Sequence, residues 1–174
     1  MISRIKLLQR LESLENINEW GGRLVSWLTL ILVLVTFAVV VLRYGFNLGW
    51  IAMQESITYM HALIFLVGIP YTLKHDAHVR VDIFYNKMSE RNKAWVNLAG
   101  ILILLIPVLG FIFYTSWDYV TASWQMLEES GEPGGLPFVY LLKSTILLMT
   151  LLLLIQAVSY IARNIRILFF SNSS

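Results

Sequence analysis

The chain has no cysteine, which excludes disulfides, thiol chemistry and cysteine-ligated metals. Its formal net charge is only +2, so it carries no basic footprint for nucleic acid. It has no Gly-rich phosphate loop, no Ser–His–Asp set and no paired acid–base system. No catalytic residue is therefore assigned, no cofactor is implied, and an enzyme is not expected. Internal repeats and low-complexity segments are also missing. Lys and Arg are absent from the long connection between Trp117 and Pro137, which carries Asp118, Glu128, Glu129 and Glu132 instead.

What fills the chain is apolar. Of its 174 residues, 57% are hydrophobic, and the mean hydropathy is +0.68. Four stretches hold most of this: Trp20–Leu42, Trp50–Leu73, Ala94–Ser116 and Phe138–Ile161. Each is about twenty residues or more, the length a helix needs to cross a hydrocarbon core of about 30 Å. Lipid offers no partner for backbone N–H and C=O groups, so spanning segments of this kind are helices. The sequence predicts an all-α integral membrane protein with four transmembrane helices, at about 20–42, 50–73, 94–116 and 138–161. Residues 20–161 form one membrane domain and leave no room for a soluble one.

The positions of the charges set the expected topology. Arg4, Lys6, Arg10 and Arg23 precede or open the first span. Lys74, Arg80, Lys87, Arg91 and Lys93 lie between the second and third, and Arg163 and Arg166 follow the fourth. The opposite side has only Arg43 and Lys143, both at helix ends. By the positive-inside rule both termini are cytoplasmic. The N-terminus is not expected to be a cleaved signal peptide, because the apolar run is too long and no A-x-A-like site follows.

Within residues 1–19, Ile5, Leu8 and Leu11 share a face that excludes Lys6, Arg10 and Glu12. This segment is too polar to span and reads as an amphipathic helix lying on the cytoplasmic interface, in contact with membrane lipids. Gly21-Gly22 is expected to mark the bend into the first span, and residues 162–174 a cytoplasmic tail. Pro70 and Pro107 each remove a backbone donor and are expected to kink their helices. Ser89 is placed to cap the third span. Trp117, Val120, Trp124 and Leu127 recur at helical spacing, so that span is expected to continue outward or to be followed by a short surface helix. Gly131, Pro133, Gly134, Gly135 and Pro137 then turn the chain back.

Ionisable groups within spans are costly and so are the first candidates for function. Glu55 and Lys143 lie at similar depth near the outer side, as does Arg43. Glu55 is expected to pair with Lys143 or Arg43, within the chain or with a partner. An ion or proton site is the functional alternative, but one carboxylate near an interface makes a poor relay. His61, near the middle of the second span, reads as a haem ligand, a proton carrier or an interhelical hydrogen-bonding residue. No second axial ligand sits at its depth, so the hydrogen-bonding role is favoured. His75, Asp76, His78 and Asp82 match no strong metal-ligand spacing; His78, Arg80 and Asp82 read as ties between the inner link and neighbouring helix ends. Glu128-Glu129 reads as an exposed face or docking patch. The chain also lacks the inverted repeats and interrupted helices of a secondary transporter. A scaffold or accessory subunit is the natural class. The competing readings are a haem- or quinone-bearing anchor of a redox complex, a small lipid-acting membrane enzyme, and a self-assembling four-helix protein.

At these residues a family resemblance enters. The run Arg43-Tyr44-Gly45-Phe46-Asn47-Leu48-Gly49, then Gln54-Glu55, then Tyr71 through Asp82 resembles the small membrane subunit of tripartite ATP-independent periplasmic (TRAP) transporters. The later Ser123-Trp124, Glu128, Ser130, Glu132-Pro133-Gly134-Gly135-Leu136-Pro137 and Lys143-Ser144 fit the same family. Where many members have a Trp-x-Glu-Glu pattern, this chain has Trp50 and then Gln54-Glu55. The resemblance implies a bacterial inner-membrane complex with a large membrane subunit and a periplasmic substrate-binding protein. The large subunit carries the substrate and sodium sites, and an ion gradient drives uptake of small organic acids. The small subunit packs on the large subunit's static scaffold. Trp124, Glu128, Glu129 and Glu132 are the residues expected to dock the binding protein.

Overall fold

The structure is a computed structural model that describes residue 6, residues 10–75 and residues 85–170. His78, Arg80 and Asp82, expected as helix-end ties, lie outside the described residues, as do Asp76 and most of the amphipathic N-terminal segment. The described residues are almost wholly helical. Helix α1 is Glu15–Gly45, α2 is Ile51–Lys74, and α3 is Glu90–Gly100. A π-helical turn over Ile101–Leu105 joins α3 to α4, Ile106–Gln125, and α5 is Val139–Phe170. Four continuous helices are long and apolar enough to cross a membrane, the third running through α3, the π turn and α4. The shortest has 24 residues, or about 36 Å at the standard rise.

Three of the four outlast the apolar stretches that announce them, and α2 matches its stretch in length. Helix α5 carries Arg163 and Arg166 a further turn and more beyond Ile161, and α4 carries the chain on to Gln125. This settles the connection from Trp117 to Pro137: the helix continues, with Val120 buried, and no separate surface helix forms there. Ser89 caps α3 as expected, its side chain accepting from Asn92 N at 3.4 Å.

Pro107 acts through its neighbours. A proline ring collides with the carbonyl one turn back and leaves it without a donor. The π turn lies in that preceding turn, where Ile106 N reaches Ile101 O across five residues. Widening the helix there gives the ring room, so the strain takes the form of a π bulge.

Helix α5 is the hub. It packs against α2, α3 and α4, whereas α1 packs chiefly on α2. Two apolar clusters make the core. Ile101, Ala157 and Tyr160 gather with Leu73 and Leu105; Leu109, Met149 and Leu153 gather with Leu66, Ile69 and Ile112. Half of the most apolar window of α5 is buried, but none of that of α1. In water such an exposed helix would be untenable; in lipid it is the normal outer surface, because hydrocarbon outside is as apolar as the packing inside.

Gly21 and Gly22 do not form the expected bend. They lie inside α1, where they let it close on α2: a Cβ on Gly22 would collide with the Tyr71 ring, and one on Gly21 would meet Val67 at 3.2 Å. The break falls earlier, at a turn over Ser13-Leu14 after helical residues 10–12. That segment is tied to α5, where Ser159 Oγ donates to Leu11 O at 2.9 Å and Arg166 Nε lies 3.2 Å from Glu12.

Candidate functional site

The densest polar geometry lies where the α4–α5 loop folds over the start of α2. Glu55 sits one turn into α2, with its carboxylate facing the loop. It accepts from Ser130 Oγ and from Leu136 N at 2.6 Å. Backbone bonds complete the clasp: Ala52 N donates to Gly134 O at 3.1 Å, Ser130 N to Leu136 O at 3.2 Å, and Val139 N to Glu128 O at 3.0 Å. Gly135 makes the approach possible, because a Cβ there would strike the Ser130 side chain and stand 2.8 Å from Glu55 Oε2. A carboxylate suits this position, because it only accepts and it bonds donors more strongly than a neutral group.

Glu55 therefore pairs with neither Lys143 nor Arg43 within this chain, contrary to expectation. Depth alone suggested those pairs, but the returning loop brings its own donors closer. Lys143 pairs with Glu128 and lies 4.0 Å from the centre of the Tyr119 ring. Arg43 is exposed at the end of α1. Glu128 is accordingly not the exposed docking acid expected from sequence; its side chain is only 30% exposed, in the Lys143 ion pair. The Lys143 ammonium holds the Glu128 carboxyl below its ordinary value of 4.5. Glu129 and Glu132 are exposed. Trp124 is 46% exposed, its indole donating to Ser144 Oγ at 2.8 Å and its ring edge-on to Tyr140 at 4.7 Å.

At the other membrane face, Glu19 of α1 meets Lys74 Nζ at 2.9 Å and His75 Nε2 at 3.0 Å from α2, and Arg23 at 3.1 Å from its own helix. At this same end lies a buried amide pair, in which Asn18 Nδ2 donates to Gln156 Oε1 at 2.8 Å. His61 stands apart from these contacts. It makes no hydrogen bond among the described residues, is exposed, and stacks at 4.4 Å on Phe65 of the same helix. Among the described residues no His, Cys, Asp or Glu cluster could hold a metal ion.

Sequence reasoning missed Ser130, Gly135 and Tyr119 as partners, and the Asn18–Gln156 pair. Gly134-Gly135 announced a turn, but nothing local announced what Gly135 had to clear. Asn18 and Gln156 were legible only as polar residues within apolar or amphipathic runs.

Most of the strong polar contacts here fasten one helix end or loop to another. With its four spanning helices, the chain is an integral membrane protein whose polar contacts chiefly join its own elements. The family model for tripartite ATP-independent periplasmic transporters, DctQ component, matches residues 32–167, and the chain belongs to this family. It is a family of transporter components of the inner membrane and not of enzymes. The chain is similar to the C4-dicarboxylate TRAP transporter small permease protein DctQ of Vibrio cholerae serotype O1, with 30% identity over 112 residues. That match covers 61% of this chain and 47% of the relative, about half of the relative's length. No solved structure matches the chain.

Proposed function

We propose that the chain is the small scaffold subunit of a TRAP transporter that imports a small organic acid. In this reading a periplasmic binding protein delivers the substrate and an ion gradient drives its uptake. The chain packs on the large membrane subunit and holds it at fixed depth and orientation. Both termini face the cytoplasm in this reading, which the distribution of Lys and Arg supports. The clasp around Glu55 and Glu128 then faces the periplasm, with Trp124, Glu129 and Glu132 available to the binding protein and Glu128 fixing the loop from which they project.

The family match across residues 32–167 carries this reading. The geometry fits it, since a scaffold needs rigid helix ends and broad apolar faces. The test is uptake by cells that carry the large subunit and binding protein with and without this chain. Loss of uptake without it, restored by supplying it, supports the proposal. Full uptake without it refutes it.

A further inference from the structure

Of the polar side chains in the spans, most satisfy themselves. Ser26, Thr29, Thr36 and Thr115 donate to carbonyls of their own helices. Glu55 and Lys143 are held at the outer end, and Asn18 and Gln156 face inward. His61 is different. It lies about 15 Å along α2 from Ile51, where lipid supplies no hydrogen-bonding partner, and its ring points outward with neither nitrogen bonded among the described residues. A neutral imidazole has one donor and one acceptor, and leaving both unpaired in hydrocarbon is unfavourable.

The surface around His61 is continuous. Thr58, His61 and Phe65 are the exposed residues of α2 between Ile51 and Lys74, at spacings of three and four that place them on one face. Gly68 extends this line, with open space where its side chain would be. At its outer end the face runs into an open concavity of about 400 Å³ lined by Ile51, Gln54, Glu55, Thr58 and Glu132. The exposed side chains in the middle of α1 are instead apolar or satisfied by their own helix.

We infer that the Thr58–His61–Phe65–Gly68 face of α2 is the seat of a transmembrane helix of the large membrane subunit, one that carries a hydrogen-bonding side chain at the depth of His61. This rests on the scaffold reading above. A second copy of this chain is the poorer occupant. Two-fold pairing about an axis along the membrane normal would set Glu132 against Glu132 at the mouth of the concavity, whereas a different subunit brings its own groups there.

The test uses the complex co-expressed with the large subunit and purified in mild detergent. A photo-reactive benzoylphenylalanine replaces Phe65 on the proposed face, or Phe111, which is 69% exposed on α4. The expected result is a crosslink to the large subunit from position 65 and none from 111. In a second arm, His61→Leu removes the unpaired imidazole. The isolated subunit should then be at least as stable as the wild type, while recovery of the large subunit falls roughly tenfold, as loss of one desolvated hydrogen-bonded contact predicts. Crosslinks from 65 to lipid only or to a second copy overturn the inference, as does undiminished recovery with His61→Leu. If the wild-type chain brings down no large subunit at all, the scaffold reading itself has failed.

Discussion

Glu55 of α2 accepts the backbone N–H of Leu136 at 2.6 Å, across 81 positions of sequence. A single carboxylate near the start of one helix thereby sets the path of the loop that enters another. Glu55→Gln keeps the shape but weakens the acceptor. Amides of residues 126–138 should then exchange with solvent on the order of tenfold faster, with the rest of the bundle unchanged. Hydrogen exchange by mass spectrometry in detergent checks this, and an unaltered loop would show that Glu55 does not hold it.

Gly135→Ala should reproduce that phenotype without touching a charge. The added methyl meets Ser130 and Glu55, and relieving such overpacking costs about 1–3 kcal/mol. Gly22→Leu should act at the opposite end, driving α1 away from Tyr71 at a cost of similar size. Thermal unfolding of the purified subunit would report both, and only the first should alter exchange in the outer loop.

The Glu128–Lys143 pair gives the α4–α5 loop a pH dependence of defined sign. The Glu128 pKa is lowered by Lys143, so the folded state binds fewer protons than the unfolded state as pH falls. The stabilisation is complete above the ordinary carboxylate value of about 4.5 and is lost as pH drops through the lower folded value. Loop exchange corrected for intrinsic rate should therefore be flat above about pH 5 and rise below it. Glu128→Gln should reduce that rise to the part that protonation of the Glu55 carboxylate, bonded to Ser130 and Leu136 of the same loop, contributes, and leave a loop that is looser at neutral pH.

The buried amides test what polar pairing contributes between the spans. Gln156→Leu leaves the Asn18 side chain with only its bond to Leu152 O and should cost about 0.6–2 kcal/mol. Adding Asn18→Leu should recover much of it, because two apolar neighbours leave nothing unsatisfied. Equal losses in the single and double variants would show that the pair is not coupled.

These contacts also mark where sequence reading stops. The four spans were legible because a run of apolar residues records its solvent, and Ser89 because a cap is a local signal. Glu55 was legible as important but not in its partner. Its donors come from a loop whose path is set by Gly135 clearing Ser130, a relation among distant residues with no periodicity to reveal it. Gly21-Gly22 reads equally as a bend or as a packing face, and Tyr71 decides between them. His61 carried the opposite lesson: its depth was plain, but only the exposed face of α2 shows that its partner is not supplied by the described part of this chain.

The most direct test of the account is purification of this chain from native membranes in mild detergent, followed by mass spectrometry of what accompanies it. The account predicts a large polytopic membrane protein in near-equal amount, encoded by a transport system whose uptake can then be assayed. Recovery of the chain alone, stable and monodisperse, would contradict it.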